Sequence, residues 1–194
     1  MYLFIKKILD FLIALVLIFL FSPFLFIISI IIKLTSQGPI FFIQKRLGFK
    51  GSIFKIYKFR TMIHNAPDIR NIDGTTFNSK DDKRVTKLGK FLRESSIDEL
   101  PQLFNILKFE MSFVGPRPEL PESIEMHTKS NFKRLLVKPG ITGLAQVQGR
   151  NMIDIRKRRM IDVDYQERIN FVLDLKIIFN TIFLIVSKKT IYSK

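Results

Sequence analysis

Residues 8–32, ILDFLIALVLIFLFSPFLFIISIII, form an apolar stretch that contains one charged residue, Asp10. A straight helix over this stretch is roughly 37 Å long, which exceeds the thickness of a bilayer hydrocarbon core, about 30 Å. The stretch is too long for the apolar region of a signal peptide, and no small-residue cleavage site follows it. We therefore predict that residues 1–36 form a membrane-embedded helix that the protein retains.

Two features bear on how this helix lies in the membrane. Ser22-Pro23 occurs near its middle, where a proline removes a backbone hydrogen bond and kinks the helix. Both flanks are basic, because Lys6 and Lys7 precede the stretch and Lys33 follows it. The pattern fits a re-entrant helix with both ends on the cytoplasmic side, and it equally fits a kinked helix that spans the membrane.

The remainder, residues 37–194, has the size of one domain. The whole chain of 194 residues carries a net charge of +15, which favours an anionic partner such as nucleic acid, acidic lipid or a phosphorylated substrate. No nucleic-acid-binding motif or array of stacking aromatics accompanies the charge, so we do not expect nucleic acid as a partner. The chain contains no cysteine and only two histidines, which excludes disulfides and thiolate chemistry and disfavours a histidine metal site.

Alternating apolar and polar residues over residues 39–46 and 53–60, separated by Gly48–Gly51, predict a short antiparallel hairpin. Its polar face is expected to carry Lys55, Lys58 and Arg60. These residues form either a solvated basic face near the membrane or a phosphate site.

The C-terminal segment Phe171–Val186 is apolar with a few polar residues interspersed, and it is too short for a confident span. We expect an amphipathic helix on the membrane surface, and the alternative is a plain core helix. The residues therefore predict the α+β fold class, mainly helical, with an N-terminal membrane helix interrupted at Ser22-Pro23, a small hairpin and interfacial helices.

Two adjacent carboxylates, Asp98 and Glu99, follow in the segment RESSIDELPQ, residues 93–102. Helical spacing of apolar residues beyond them predicts that a helix begins close to Asp98. Either Ser96 or Asp98 can be the N-cap, and Pro101 favours Asp98, because the proline then falls at a position whose amide has no helical partner. Two acidic residues at the start of a helix are explained either by capping of the helix or by a catalytic role.

Two further motifs accompany the carboxylates. Ser112–Glu119 is a turn framed by prolines, and it fixes the direction of Arg117, a side chain suited to bidentate phosphate binding. The segment Lys138–Asn151 contains three glycines that bring backbone close to another group, and Arg150 lies near its end.

Together these motifs resemble the bacterial sugar transferases, the small monotopic phosphoglycosyl transferases that begin glycan assembly on a polyprenyl carrier. The matching segments occur in family order: Ser22-Pro23, Tyr57–Met62, Asp98–Gln102, Gly115–Pro118, Lys138–Gly143 and Gly149–Asn151. The resemblance extends to about Tyr165 and implies the minimal catalytic unit of the family. It also implies that the N-terminal helix is re-entrant, a helix-break-helix interrupted at Ser22-Pro23, rather than a kinked helix that spans the membrane.

The resemblance implies that a UDP-sugar gives its sugar phosphate first to an enzyme carboxylate and then to undecaprenyl phosphate, with release of UMP. Asp98 is the implied nucleophile and Glu99 the implied ligand of Mg²⁺, with Asp98 close to the same metal. Spacing alone would allow the reverse assignment. The implied location is the inner membrane of a bacterium, with the site at the cytoplasmic face and with membrane lipids as further partners.

The implied substrate-binding residues are cationic, apart from one carboxylate. Arg117, and with it Arg93 and Lys58, is expected to neutralise the diphosphate. The remaining candidates lie in or near the matched motifs, and they are Arg60, Arg150 and Asp162. The chain departs from the family after Asn151, where Met152-Ile153-Asp154 replaces a common Trp-Glu pair. The alternative function is a membrane-tethered protein that binds nucleotide sugar or acidic lipid without turnover.

Overall fold

The computed structural model of the protein describes residues 1–70, 77, 79, 81–149 and 153–187. The apolar stretch lies within a single helix, α1, which runs from Tyr2 to Thr35. α1 continues through Pro23, whose missing N–H would leave the Phe19 carbonyl without its usual helical partner. The Ser22 hydroxyl donates a hydrogen bond to that carbonyl at 2.8 Å. The predicted break at Ser22-Pro23 is therefore not an interruption of the helix, because the serine replaces the donor that the proline lacks.

Most of the apolar surface of α1 is exposed. Ala14, Ile28 and Ile32 are buried against the rest of the protein, whereas side chains such as Phe19 and Leu34 are almost fully exposed. Among the described residues, α1 is the one helix long and apolar enough to cross a membrane. Because so much exposed hydrocarbon is unfavourable in water, α1 fits membrane association.

The rest of the described chain is mainly helical with two small sheets, as the predicted α+β class requires. The later α-helices are α2 (Lys87–Glu94), α3 (Leu103–Leu107), α4 (Lys129–Phe132), α5 (Leu144–Gly149), α6 (Ile155–Arg168) and α7 (Phe171–Val186). Short 3-10 helices cover Phe49–Gly51, Ile97–Gln102, Pro121–Met126 and Lys133–Leu136. The strands are β1 (Phe41–Leu47), β2 (Ile53–Phe59), β3 (Ser112–Val114) and β4 (Gly140–Thr142).

The predicted hairpin is confirmed, since β1 and β2 pair antiparallel with Phe42 opposite Lys58 and Arg46 opposite Phe54. The turn between them contains Gly51 at φ 80°, a conformation that glycine adopts without strain. Directly opposite residues of an antiparallel pair share a face, so the register places Lys58 and Arg46 on one face of the hairpin, at opposite ends of it.

The prediction that Lys55, Lys58 and Arg60 share one face is wrong. Side chains alternate along a strand, so Lys55 lies on the face opposite that of Lys58. Lys55 is exposed, whereas Lys58 follows the buried residues Phe54 and Ile56 on their side of the strand. Lys58 is thereby carried towards the protein interior rather than towards solvent.

The second sheet explains the predicted close approach of the glycine-rich segment. β3 and β4 are parallel, and the Gly115 amide donates to the Thr142 carbonyl at 2.9 Å while the Gly140 amide donates to the Pro116 carbonyl at 3.0 Å. A Cβ atom on Gly115 would lie 2.3 Å from the Lys138 carbonyl oxygen. The segment therefore packs on the backbone of the Gly-Pro-Arg-Pro turn and fixes its position.

α1 packs on this fold along much of its length. Ala14 belongs to an apolar cluster with residues of β2 and α3, and Ile28 and Ile32 belong to a second cluster with Phe59 and Leu92. The helix is thus a component of two of the cores and not a detached anchor.

Polar contacts add to the apolar ones near the start of α1. The Lys6 Nζ donates to the Asp174 carboxylate of α7 at 2.5 Å, and the Ser112 hydroxyl of β3 donates to the Asp10 carboxylate at 2.6 Å. The N-terminal turns of α1 are therefore fixed to elements that come much later in the sequence.

Candidate active site

Asp98 and Glu99 lie in the first turn of the 3-10 helix Ile97–Gln102. Ser96 occupies the capping position in a left-handed conformation, φ 58°, and its side chain makes no capping bond. The prediction that Asp98 is the N-cap is therefore wrong. Pro101 lies inside the 3-10 helix and α3 begins after it, so the proline does not have to fit into the first turn of an α-helix.

A buried amide, Asn105 of α3, joins the carboxylate segment to the hairpin. Its Oδ1 accepts a hydrogen bond from the Tyr57 amide at 3.1 Å, and its Nδ2 donates to the Lys55 carbonyl at 2.7 Å. The same Nδ2 donates to the Glu110 carboxylate at 2.7 Å. Sequence reasoning missed Asn105, although an amide among apolar residues of a helix was a usable signal of a buried polar contact.

Glu99 is held by two cations from different parts of the chain. The Lys58 Nζ of β2 lies 2.5 Å from the Glu99 Oε1, and the Arg117 Nη2 lies 3.3 Å from the same oxygen. Burial alone would raise the pKa of Glu99, but the charges and hydrogen bonds of Lys58 and Arg117 hold it below its usual range. Glu99 is therefore ionised at neutral pH and fixes the positions of both cations.

Asp98 has fewer polar contacts than Glu99 in the described part of the chain. Its relative exposure is 9%, and within the described part of the chain its carboxylate accepts no hydrogen bond and forms no ion pair at 4 Å. Burial and the neighbouring charge of Glu99 raise its pKa, while Lys58 and the nearby arginines Arg93 and Arg117 oppose that rise. A buried carboxylate surrounded by cations but bonded to none of them is a suitable nucleophile for an anionic electrophile.

Comparison with known proteins shows the family to which the chain belongs. The sequence profile of the bacterial sugar transferases matches residues 1–188. The chain belongs to the bacterial sugar transferase family. Its relatives include the UDP-glucose:undecaprenyl-phosphate glucose-1-phosphate transferase of Klebsiella pneumoniae, 43% identical over 92% of this chain and 39% of that protein.

Two other relatives differ in length from each other. The undecaprenyl-phosphate glucose phosphotransferase of Komagataeibacter xylinus is 38% identical over 97% of this chain and 36% of its own length. The exopolysaccharide production protein ExoY of Sinorhizobium fredii is 37% identical over 91% of this chain and 83% of its own length. The chain thus spans about two fifths or less of the length of the first two relatives.

The fold brings five of the predicted site residues together: Asp98, Glu99, Lys58, Arg93 and Arg117. Arg93 of α2 donates from Nε to the Thr61 hydroxyl at 2.8 Å, and its charge acts on Asp98. Cations from a strand, a helix and a proline-framed turn therefore converge on one pair of carboxylates.

The remaining predicted site residues are not among those that the structure brings together around Asp98 and Glu99. Arg60 is buried and donates to the carbonyls of Ser36 and Gln37, at 2.7 and 2.6 Å, where α1 has just ended. Asp162 is buried in an ion pair with Arg134. Direct substrate contacts of Arg60 and Asp162 stay predictions, and Arg150 lies outside the described residues.

Arg134 is a buried residue that sequence reasoning missed. Its Nη2 donates to Asp162 at 2.7 Å and to the Arg117 carbonyl at 2.8 Å, and its Nη1 lies 3.4 Å from Glu119. Arg134 occurs in a charged stretch without a motif, so only the tertiary structure reveals its part in the site. Through these contacts Arg134 joins Asp162 of α6 to the backbone of the turn that carries Arg117.

The carboxylate pair fits Mg²⁺ but not a metal held by protein ligands alone. Among the described residues, no group of three or more His, Cys, Asp or Glu side chains could hold a metal ion. Mg²⁺ commonly takes one or two carboxylates together with substrate phosphate oxygens and waters. Asp98 and Glu99 satisfy that requirement when a phosphorylated substrate supplies the other oxygens.

Proposed function

We propose that this protein transfers a sugar 1-phosphate from a UDP-sugar to undecaprenyl phosphate and releases UMP. The observation that carries the proposal is the buried Asp98 carboxylate, which lies beside Glu99, Lys58 and Arg117 and forms no ion pair with any described residue. The names of the relatives support the substrates, since they refer to UDP-glucose and to undecaprenyl phosphate. The reaction would be the first membrane step in assembly of a surface glycan such as an exopolysaccharide, capsule, O-antigen or glycoprotein.

The first half-reaction that we propose is attack by an Asp98 carboxylate oxygen on the phosphorus that bears the sugar. A bond forms between that oxygen and phosphorus, and the bond from the same phosphorus to the bridging oxygen of the diphosphate breaks. UMP leaves with the bonding electron pair, and an aspartyl-phosphosugar remains on the enzyme. Lys58, Arg93 and Arg117 would stabilise the charge on the phosphate oxygens during this step.

The second half-reaction would return the aspartate to its starting state. A phosphate oxygen of undecaprenyl phosphate attacks the phosphorus of the intermediate, and the bond from phosphorus to Asp98 breaks. An apolar cavity of about 160 Å³ supports an acceptor with a hydrocarbon chain, because it lies between α1 and Pro101 and Phe104, shortly after the carboxylates. A dry apolar cavity of about 150 Å³ is large enough to bind benzene, so this one can hold a short piece of such a chain.

Mg²⁺ is the metal that we propose for this site. Asp98 and Glu99 would hold it together with oxygens of the diphosphate, and when bound it would neutralise charge on the phosphates. The Oε1 atom of Glu99 would keep its ion pairs with Lys58 and Arg117, and these pairs would position the other oxygen of Glu99, Oε2, for the metal.

UMP release is the direct test of the proposal. Detergent-solubilised protein with Mg²⁺ and undecaprenyl phosphate is expected to release UMP from at least one member of a panel of UDP-sugars, and EDTA is expected to abolish the release. UDP-sugar binding without UMP release from any panel member would instead favour the alternative, a membrane-tethered binding protein without turnover.

The pH dependence of this reaction is expected to follow the ionisation of Asp98. Burial raises the pKa of Asp98, so the acid limb of kcat/KM should lie at higher pH than for an exposed aspartate, whose pKa is about 3.9. Lys58 lowers that pKa, so Lys58→Gln should move the limb to still higher pH. Lys55→Gln, on the exposed face of the same strand, serves as the control. An unchanged limb in Lys58→Gln would contradict the assigned influence of Lys58.

We also propose that α1 is re-entrant and that the active site lies at the cytoplasmic face of the inner membrane. Both ends of α1 are held by the same folded unit, through Lys6 and Asp174 at one end and through Arg60 and the Ser36 carbonyl at the other. A helix that crosses a bilayer perpendicularly has its ends on opposite sides, which does not suit two such contacts. The exposed apolar side chains of α7, among them Phe179 and Ile182, support a location at the membrane surface.

Single-cysteine labelling tests this topology, because the chain contains no native cysteine. Leu3→Cys and Leu34→Cys place thiols near the two ends of α1, at exposed positions. A membrane-impermeant maleimide is expected to label both in inverted vesicles and neither in spheroplasts. Labelling of the two positions from opposite sides would show that α1 spans the membrane.

A further inference from the structure

Arg46 is a half-buried arginine of β1 that has no carboxylate partner among the residues that the structure describes. Its Nη2 donates to the Gln44 side-chain oxygen at 2.6 Å, and its Nη1 makes a long contact of 3.4 Å with the Pro118 carbonyl. Its Nε is buried and has no hydrogen-bond partner. In the described ranges of the chain, no Asp or Glu oxygen lies within 4 Å of this guanidinium.

Three of the four buried arginines among the described residues are paired with a carboxylate, and the fourth, Arg60, donates to the Ser36 and Gln37 carbonyls. Arg84, Arg134 and Arg159 each lie within 3 Å of a carboxylate, at 2.7, 2.7 and 2.9 Å. Burying a charge without a counter-charge is unfavourable, and an arginine with an unsatisfied buried N–H therefore requires an explanation. Burial, together with the charge of Arg117, lowers the pKa of Arg46 to about 10, as expected for a cation without a local counter-ion.

The position of Arg46 relates it to the candidate active site. Arg46 contacts the carbonyl of Pro118, the residue that follows Arg117 in the sequence. The guanidinium of Arg117 in turn reaches Glu99. The hairpin register places Arg46 and Lys58 on one face of the sheet. Arg46 therefore lies beside the turn that carries Arg117, on the face of the hairpin that carries Lys58 at its other end. Among the described residues, Glu99 forms ion pairs with Lys58 and Arg117 but not with Arg46.

Arg158 of α6 is a second arginine of this kind. It is half-buried, its Nη2 makes only a long contact of 3.3 Å with the Ile153 carbonyl, and burial and the charge of Arg117 lower its pKa. Among the residues described here, no carboxylate lies within ion-pair distance of it either. The surroundings of Arg117 thus contain more positive than negative charge.

We propose that Arg46 is a substrate-binding residue which, together with Arg117, binds the diphosphate group of the nucleotide donor. This inference rests on the proposed function, because the anion is the diphosphate of the UDP-sugar. The arriving phosphate oxygens would supply the acceptors that the Arg46 guanidinium lacks in the free protein. In the free protein the same arginine is an uncompensated charge, so it weakens the folded state and strengthens anion binding.

These two consequences can be measured separately on the full-length protein in detergent. UDP binding by calorimetry and the melting temperature without ligand are compared for wild type, Arg46→Gln and Arg46→Lys, with Lys45→Gln as the exposed control on the same strand. Arg46→Gln is expected to weaken UDP binding about tenfold to a hundredfold, which corresponds to loss of a charged hydrogen bond, without lowering the melting temperature. Arg46→Lys should retain part of the affinity and Lys45→Gln nearly all of it.

Two smaller ligands, inorganic pyrophosphate and uridine, separate recognition of the phosphates from recognition of the nucleoside. Binding of inorganic pyrophosphate should weaken in Arg46→Gln as binding of UDP does, whereas uridine at high concentration should bind both proteins equally. A lower melting temperature with unchanged UDP affinity would overturn the proposal and make Arg46 a structural residue. Wild-type protein that binds neither UDP nor pyrophosphate would overturn it as well. Wild-type protein that binds UDP with the expected Arg46 dependence, but releases no UMP, would contradict the proposed reaction and leave the binding role intact.

Discussion

Asp98→Asn is expected to lower UMP release by at least about a thousandfold, the scale on which loss of a covalent nucleophile acts. Asparagine has the shape of aspartate, so the fold and the ion pairs of Glu99 with Lys58 and Arg117 should persist. The amide lacks the anionic oxygen that attacks phosphorus. The measurement is the initial rate of UMP formation from the best UDP-sugar of the panel.

Mass spectrometry of the intact protein separates the nucleophile from a residue that only binds. Without undecaprenyl phosphate, wild-type protein incubated with a UDP-sugar should gain the mass of one sugar phosphate, and Asp98→Asn should gain none. Asp81→Asn, on an exposed segment, is the control and should behave as wild type. An adduct on Asp98→Asn that disappears in Glu99→Gln would exchange the roles of the two carboxylates, and normal UMP release by Asp98→Asn would refute the nucleophile.

Arg134→Met is expected to lower the free energy of unfolding by about 3–5 kcal/mol, the cost of removing one partner of a buried ion pair. Arg134 and Asp162 have side-chain exposures of 1% and 2%, and Glu119 lies 3.4 Å from the same guanidinium. The substitution leaves Asp162 without its counter-charge and frees the Arg117 carbonyl. Urea unfolding in detergent, followed by near-UV circular dichroism, measures the loss.

The adjacent residue provides the matched control. Lys133 forms an ion pair with Glu167 at 2.7 Å, but both side chains are about half exposed, at 52% and 51%. An exposed pair contributes about 0–1 kcal/mol, so Lys133→Met should change stability little. The double variant Arg134→Met/Asp162→Leu removes both buried charges and should regain part of the loss. Equal effects of Arg134→Met and Lys133→Met would contradict the buried-pair assignment.

Local sequence patterns predicted the elements that depend on local physics. The hairpin followed from alternation and turn glycines, and the long apolar helix from its length and composition. The positions of Lys58 and Arg117 near the carboxylates came from the family resemblance and not from the spacing of residues. The structure adds the reason, because Glu99 pairs with both cations.

The errors concern choices that tertiary packing decides. An N-cap at Asp98 requires an α-helix that begins next to it, but the chain forms a 3-10 helix there, which accommodates Pro101. Grouping Lys55 with Lys58 neglected the twofold alternation of a strand. Asn105 and Arg134 were missed because each is polar, carries no motif of its own, and gains its meaning only from distant partners.

The contact between Lys6 and Asp174 also determines when the fold can be completed on the ribosome. The two residues are separated by 168 positions, so α1 is synthesised well before its α7 partner. At about 5–20 residues per second, roughly 8–34 seconds separate their synthesis. During that interval the emerging α1 has no α7 against which to pack, and its exposed hydrocarbon is best accommodated by lipid. We therefore expect membrane insertion of α1 to come before the packing of α7, with the bilayer as the first folding partner of the nascent chain.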